Sequence, residues 1–354
     1  MRLFLHLIPA VTLLVTLTAS AGPLDPPAAP APTPGPEARV ALAVNGPLPL
    51  TIDMPGSYYL TANVLNVSGS SAITISADGV TLDLNGFAVT AADEEESPSH
   101  SGIAITGSGA TVSHGTLSGW SDSALSCSAS DARVSDLLVS HCKHRGIDAG
   151  ESGWVQACRV SECGTSTSDT GINAGSYGRV EDCRVRNCPR WGIRVGVGGL
   201  AVRCVVSDCL GCIGLEDAAT ASGCRVRQCT IGIAALSYCV VEGNTVAGVA
   251  NRGVDGGPGS EIVGNTFDYV HSTPPGTARA IYLGSGGGTR IRSNAIVDTD
   301  IGVDLFGGHN TVVNNSFRAT GTEVLNAGVT DLVGPFIHAS EAGTGATLWN
   351  TSDH

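Results

Sequence analysis

A six-residue unit recurs along this chain as CRVSEC at 158–163, CRVRNC at 183–188, CVVSDC at 204–209 and CRVRQC at 224–229. The leading cysteines are 25, 21 and 20 residues apart, and self-similarity at such a period marks a stacked-repeat architecture. The repeat outlives its cysteines. The next equivalent positions are Asn244, Asn265, Asn294 and Asn315, at steps of 20, 21, 29 and 21. A second signature is a glycine followed by an apolar residue: Gly102-Ile103, Gly146-Ile147, Gly171-Ile172, Gly192-Ile193, Gly232-Ile233, Gly253-Val254 and Gly302-Val303, with Cys212-Ile213 and Ala280-Ile281 as variants. Each unit of about 21 residues reads as three short strands with a turn after each.

Within a unit the apolar residues alternate with polar ones in runs too short for a helix. Such strands bury no face alone. Coiling the chain so that each strand pairs in parallel with its counterpart one turn later builds a continuous core. This register puts Val180, Val185, Ile193 and Val195 inside and Arg184, Arg186 and Arg194 outside. Like residues then stack at about 4.8 Å, asparagines satisfy backbone and one another in ladders, and asparagine suits the left-handed conformation that a corner needs. Abundant glycine, 47 residues of 354, and only 5% aromatics suit a narrow coil. The fold expected is an all-β solenoid, a parallel β-helix of eleven or twelve coils, with an axial length of roughly 50 Å.

The ends differ in kind. Residues 1–21 combine Arg2, an apolar run from Leu3 to Leu17 and the small residues Ala19-Ser20-Ala21, the pattern of a secretory signal peptide. The run is short and interrupted by His6 and Pro9, which argues against a membrane span. Residues 22–44 form a linker, whose stretch 22–38 holds seven prolines and is extended. The repeat domain is assigned to 45–354.

PGSYYLTANV at 55–64, ITISADGVTLDLNGFAV at 73–89, HGTLSGW at 114–120 and the later GI and NT units resemble exported bacterial right-handed parallel β-helix repeat proteins of the pectate-lyase-like fold class, over about residues 45–335. The resemblance implies a right-handed coil and an exported location; a fold alone assigns no reaction. The chain ends on LWNTSDH without the short aromatic tail the resemblance implies, so the last edge is expected to be exposed or paired with a partner.

All twelve cysteines lie between 127 and 239. Four occupy the column above, and Cys142, Cys163, Cys188, Cys209 and Cys229 form a second. As small, readily buried residues they fit inward corners. Disulfides are the competing reading for an exported chain, although cysteines stacked in one column point the same way and would be strained as bridges. Metal binding rests only on Cys209-x-x-Cys212 and the HCKH run at 141–144, a weak pattern.

Charge is segregated. The chain carries −13, yet residues 133–227 hold 12 Lys and Arg against 10 Asp and Glu, leaving 7 against 22 elsewhere, a balance that disfavours general nucleic-acid binding. Arg159, Arg184 and Arg225 share one outward column, and Arg186 and Arg227 another. These arginines are either a solvated face balanced by Glu162, Asp182 and Asp208 or a stripe that meets an anionic sugar polymer.

Three long turns, 92–100, 164–170 and 268–277, fall at one corner, just before the glycine-led strand, and loops grafted at one edge of a rigid scaffold are where sites are built. In enzymes of the resembled fold, the groove beside that strand binds polysaccharide. The outward position two after the glycine lines it with Asp148, Asn173, Arg194, Gly214, Ala234, Asp255, Tyr282 and Asp304 in successive coils. Asp148, Asn173 and Arg194 suit a lyase, with Arg194 neutralising a uronate and a calcium ion on Asp148, although calcium wants six to eight oxygens and only Asp148, Asn173 and Glu151 offer them. Asp255 and Asp304 flank Tyr282 two coils apart, on the order of 9.6 Å between Cα atoms, near the carboxylate separation of an inverting glycosidase. Tyr282 is a candidate sugar-stacking platform. Exposed aspartates are more often simply solvated.

The chain lacks the Asp-Asp and Arg-x-Lys motifs of polygalacturonases, and Gly308-His309-Asn310 lacks the second glycine of their Gly-His-Gly. Two functions follow as expectations: a non-catalytic exported β-helix that binds glycan or surface polysaccharide along the groove, or a polysaccharide lyase or glycoside hydrolase there. No metal site is expected, calcium excepted for a lyase. The partner expected is a polysaccharide or cell-surface glycan, with no nucleic acid and no membrane span after leader removal; the oligomeric state stays open.

Overall fold

A computed structural model describes residues 39–353 except 43, 45–47, 93–99, 167–168, 335 and 339–349. The leader, most of the linker and most of the 92–100 insertion lie outside the described residues. Among these residues all regular structure is strand, and every strand pairing given is parallel, each strand meeting its counterpart one turn on. The stack has about 13 turns. The expected count was lower because the first turns, with Leu50–Ile52 and Ile73–Ile75 in the glycine-led sheet, lack the glycine signature. Val40–Leu42 already pairs with Tyr58–Leu60, inside the segment assigned to the linker. At the other end Asn350–Asp353 runs parallel to Ser316–Arg318 and to Phe336–His338, so the chain's own last strand pairs there.

Three parallel sheets enclose the core. Ile172, Ile193 and Ile213 stack in the glycine-led sheet, Val155, Val180 and Ala201 in the next, and Val160, Val185 and Val206 in the third, all buried. Val195 is buried as well, while Arg184, Arg186 and Arg194 are exposed, as the register requires. Each buried Val or Ile contributes about 1.5 to 3 kcal/mol. The glycine of the signature is needed because three layers converge there: a Cβ on Gly171 would sit 2.6 Å from Val185 Cγ1 and 2.7 Å from the Gly192 carbonyl oxygen. Cys212 and Ala280 are the tolerated exceptions.

The left-handed corner residue is not the asparagine or cysteine of the column, as expected, but the residue before it. Asp182, Arg203, Gly223, Gly243, Gly264 and Ser293 have φ between 52° and 64°, each immediately preceding Cys183, Cys204, Cys224, Asn244, Asn265 or Asn294. That turn aims the following side chain inward. The asparagines are then buried and bonded across coils: the backbone N–H and Nδ2 of Asn244 both donate to Oδ1 of Asn265, at 2.9 and 3.0 Å, and Asn265 and Asn294 repeat the arrangement one coil on.

Ten cysteines are free, and each is buried. Cys212 and Cys229 form a disulfide, with Cα atoms 6.0 Å apart, so the one bridge joins a column cysteine to Cys212, outside both columns. Burial pushes the Cys239 thiol up to about 11. Neighbouring thiols and burial raise Cys163 and Cys188 further.

Candidate functional site

The expected outward column is continuous in the pairing register: Asp148, Asn173, Arg194, Gly214, Ala234, Asp255, Tyr282 and Asp304 are successive partners. Beside it runs a second column, read from the residue that precedes each glycine: Thr170, Trp191, Gly211, Ile231, Arg252 and Arg279. Arg145 precedes Gly146 in the same sense. None of the candidate residues above lies in this column, although the glycine that locates the first column locates it too.

The two columns together form three clusters along the groove. In the first, the Asp148 carboxylate accepts from Arg145 and from Asn173 Nδ2 at 2.9 Å. Next to it His144 Nδ1 donates to Asp169 Oδ1 at 3.1 Å. Burial alone would raise the Asp169 carboxyl, but the N–H groups of Ser166 and Thr165 and the His144 contact outweigh it and hold the group below its ordinary value. His144, Arg145, Asp148 and Asp169, with Asp122 and Ser126, line a polar hollow of about 250 Å³. Asp169 belongs to the 164–170 insertion, so that long turn does deliver a side chain to the groove.

A calcium ion does not fit this donor set as it stands. Both oxygens of Asp148 face nitrogen donors, and Asn173 turns its NH2 toward the carboxylate. Among the described residues no three His, Cys, Asp or Glu side chains converge as a metal site would require.

The second cluster centres on Trp191. Its indole lies across the next coil at Gly211 and Gly214: a Cβ at position 211 would overlap the six-membered ring, and one at position 214 would stand 3.4 Å from it. Two glycines in register thus make the shelf the ring rests on. The hollow beside it, about 310 Å³, is lined by Arg145, Arg190, Trp191, Arg194, Glu216 and Leu236, among others. Arg194 is exposed and donates to Glu216 at 2.5 Å. Arg145 borders both hollows, which makes the polar and aromatic clusters neighbours in one groove.

The third cluster is closed. Arg252 lies over the Tyr282 ring, 3.9 Å from its centroid, with Arg279 at 5.5 Å and Phe306 at 5.6 Å. Asp255 is bonded to Arg252 at 2.5 Å. Asp304, expected to face outward, is instead fully buried: Arg279 from the coil before donates to it, and Asn326 from the coil after donates at 2.7 Å. A carboxylate enclosed in this way does not reach a bound sugar, and the pair Asp255 and Asp304 does not present two open carboxyl groups across a groove. Arg184 and Arg186 stand on the third sheet, away from the groove.

The chain is a right-handed parallel β-helix protein: residues 101–246 match the family described as "Right handed beta helix region", and the strand pairing extends the same coil on both sides of that segment. No curated protein matches the chain. Among solved structures it is similar to DFA-IIIase from Arthrobacter chlorophenolicus A6, with 12% identity, TM-score 0.49, and 89% of this chain and 88% of that one covered. It is similar also to a mannuronic acid specific polysaccharide family 6 lyase from human gut microbiota, with 11% identity, TM-score 0.47, and 77% and 74% covered. A third is the mannuronan C-5 epimerase AlgE6 A-module from Azotobacter vinelandii, with 13% identity, TM-score 0.46, and 85% and 91% covered. At these values the likenesses assign no chemistry to the groove. No helix among the described residues is long and apolar enough to cross a membrane.

Proposed function

We propose that this is an exported β-helix protein that binds a glycan along the groove, with Trp191 as the platform on which a sugar ring stacks. The single observation that carries this reading is the indole laid over Gly211 and Gly214 beside a hollow flanked by Arg145, Arg190 and Arg194. An aromatic face supplies apolar contact to the C–H face of a sugar, and arginines supply forked donors to hydroxyl or carboxylate oxygens. Export is supported by the leader pattern of residues 1–21.

A second reading is favoured by the His144–Asp169 contact. A half-exposed imidazole oriented by a buried carboxylate, next to an arginine, is the arrangement of a general base with its orienting group. In a lyase or hydrolase His144 would take the proton and Arg145 would meet the substrate's negative charge.

A panel of neutral and acidic polysaccharides tests both. Binding without turnover predicts saturable affinity, no new reducing ends and no unsaturated product. Trp191→Ala should then lower affinity about tenfold, the scale of one to three kcal/mol for a stacked ring. Turnover that His144→Gln abolishes while affinity persists would favour the enzyme. Unchanged affinity in Trp191→Ala would overturn the groove reading.

A further inference from the structure

The third sheet carries a feature that neither groove reading uses. Arg159, Arg184 and Arg225 occupy one outward column, interrupted by Val205, and Arg186 and Arg227 the next, interrupted by Ser207. All five arginines are exposed. Among the described residues none of them has an ion pair or a side-chain hydrogen bond, although the chain holds 32 Asp and Glu. The acids at the adjoining corners are committed elsewhere: Glu162 to His141 at 2.6 Å, Asp182 to Arg203 at 2.9 Å, and Asp208 to the Ser207 hydroxyl at 2.7 Å. Among the described residues, none of those three makes an ion pair with this face.

Like charges stacked on neighbouring strands are unfavourable. All five nonetheless stand exposed on one sheet. The face is also concave at one end, where Arg159, Arg184, Arg186 and Leu138 line a hollow of about 260 Å³.

We propose that this face is a second binding surface, separate from the groove, for a linear polyuronate laid along the coil axis. The dimensions support a single polymer strand. Two outward positions on one strand are about 7 Å apart, and four successive coils span about 14 Å. A guanidinium fork matches a carboxylate with two parallel N–H donors, and a repeating carboxylate meets a repeating arginine without a pocket for each sugar. Nucleic acid fits less well. The face has no aromatic side chain for base stacking, its other outward residues being Leu138, Ser140, Ser161, Val205 and Ser207. A duplex would bring its second phosphate backbone over the acidic corners at Glu162, Asp182 and Asp208.

The test uses the full chain with polygalacturonate as the probe, dextran as the neutral control and an oligothymidylate as the competing polyanion, titrated calorimetrically at low and raised salt. Wild type should bind polygalacturonate in preference to both, with affinity that falls as salt rises. The quadruple variant Arg184→Gln, Arg186→Gln, Arg225→Gln, Arg227→Gln should lose about tenfold or more, four exposed charge contacts of a few tenths of a kcal/mol each. Its denaturation midpoint serves as the fold check, and Arg225→Gln alone should give a smaller loss in the same direction. The comparison that decides is the quadruple variant against wild type, and none of its four residues lines the groove, so failure of the groove reading does not touch this one. Wild-type affinity in the quadruple variant, no polygalacturonate binding at low salt, or tighter binding of oligothymidylate would each overturn the proposal.

Discussion

Between residues 158 and 224 the inward corner of each coil is filled by cysteine, and between 244 and 315 the same corner is filled by asparagine. The backbone around the two is alike: each column residue follows a left-handed residue, and each reaches a carbonyl of the preceding coil. Cys204 Sγ lies 3.5 Å from the Val180 carbonyl and Cys224 Sγ 3.4 Å from that of Ala201, where Asn265 Nδ2 reaches Val241 at 2.8 Å and Asn294 Nδ2 reaches Ile262 at 2.9 Å. The difference lies in what else the side chain offers. A thiol is a weak donor and behaves as a small hydrophobe. An amide adds an acceptor that takes two N–H groups of the coil before. One half is held at this corner mainly by packing, the other by a connected polar stack.

The largest expected effect tests that contrast directly. Asn265→Ala removes the acceptor for both N–H groups of Asn244 and the donor to Val241, and should cost about 4 kcal/mol, since buried groups are left unpaired. Cys204→Ala should cost about 1 kcal/mol, the loss of one small apolar group. Urea denaturation of the two variants measures the gap, and equal losses would break the comparison. Cys224→Asn sharpens it. Asn244 already accepts from the backbone N–H of residue 224 at 2.8 Å, so the stack is ready to extend by one coil, and stability should stay within about 1 kcal/mol of wild type.

Each half clasps an insertion with a carboxylate that accepts from a histidine and from loop N–H groups. In the later half His271 donates to Asp300 at 2.6 Å and to Asp298 at 3.0 Å, both ring N–H groups being engaged. Asp300 accepts as well from the backbone N–H groups of Ser272, Gly276 and Ala278. The Asp300 contact chiefly raises His271 above 6.5. Burial alone would raise Asp300, but His271 and the loop N–H groups hold it well below 3.8. The sign for the imidazole is that its contribution is fully present below 6.5 and is lost as pH rises through the elevated folded value. For the carboxylate it is present above 3.8 and lost as pH falls through the depressed folded value. Protease cleavage within 271–278 should therefore be slowest between about pH 4 and 6.5. A rate that does not change with pH would show that the clasp adds nothing.

The smallest effect is on thiol chemistry. Ten thiols should titrate in denaturant without reductant, and the native protein should react slowly, because the thiols are buried and several are held protonated. Rapid native labelling would place the columns nearer the surface than the packing allows.

The repeat, the parallel coil, the inward Val180, Val185, Ile193 and Val195 and the register of the column from Asp148 to Asp304 were legible in the sequence. A stacked coil forces equivalent positions into register, so one period locates every copy. Tertiary structure alone decided which members of that column are open to a ligand. Asp304 and Asp255 look alike in the repeat, yet Arg279 and Asn326 from neighbouring coils bury the first, and Arg252, three residues earlier on the same strand, pairs with the second. Trp191 shows the converse: its value as a platform depends on Gly211 and Gly214 one coil away, a juxtaposition across some 20 residues of sequence. Periodicity fixes where a side chain starts. How far it is covered depends on long arginine and aromatic side chains reaching between coils, and that contact has no period to read.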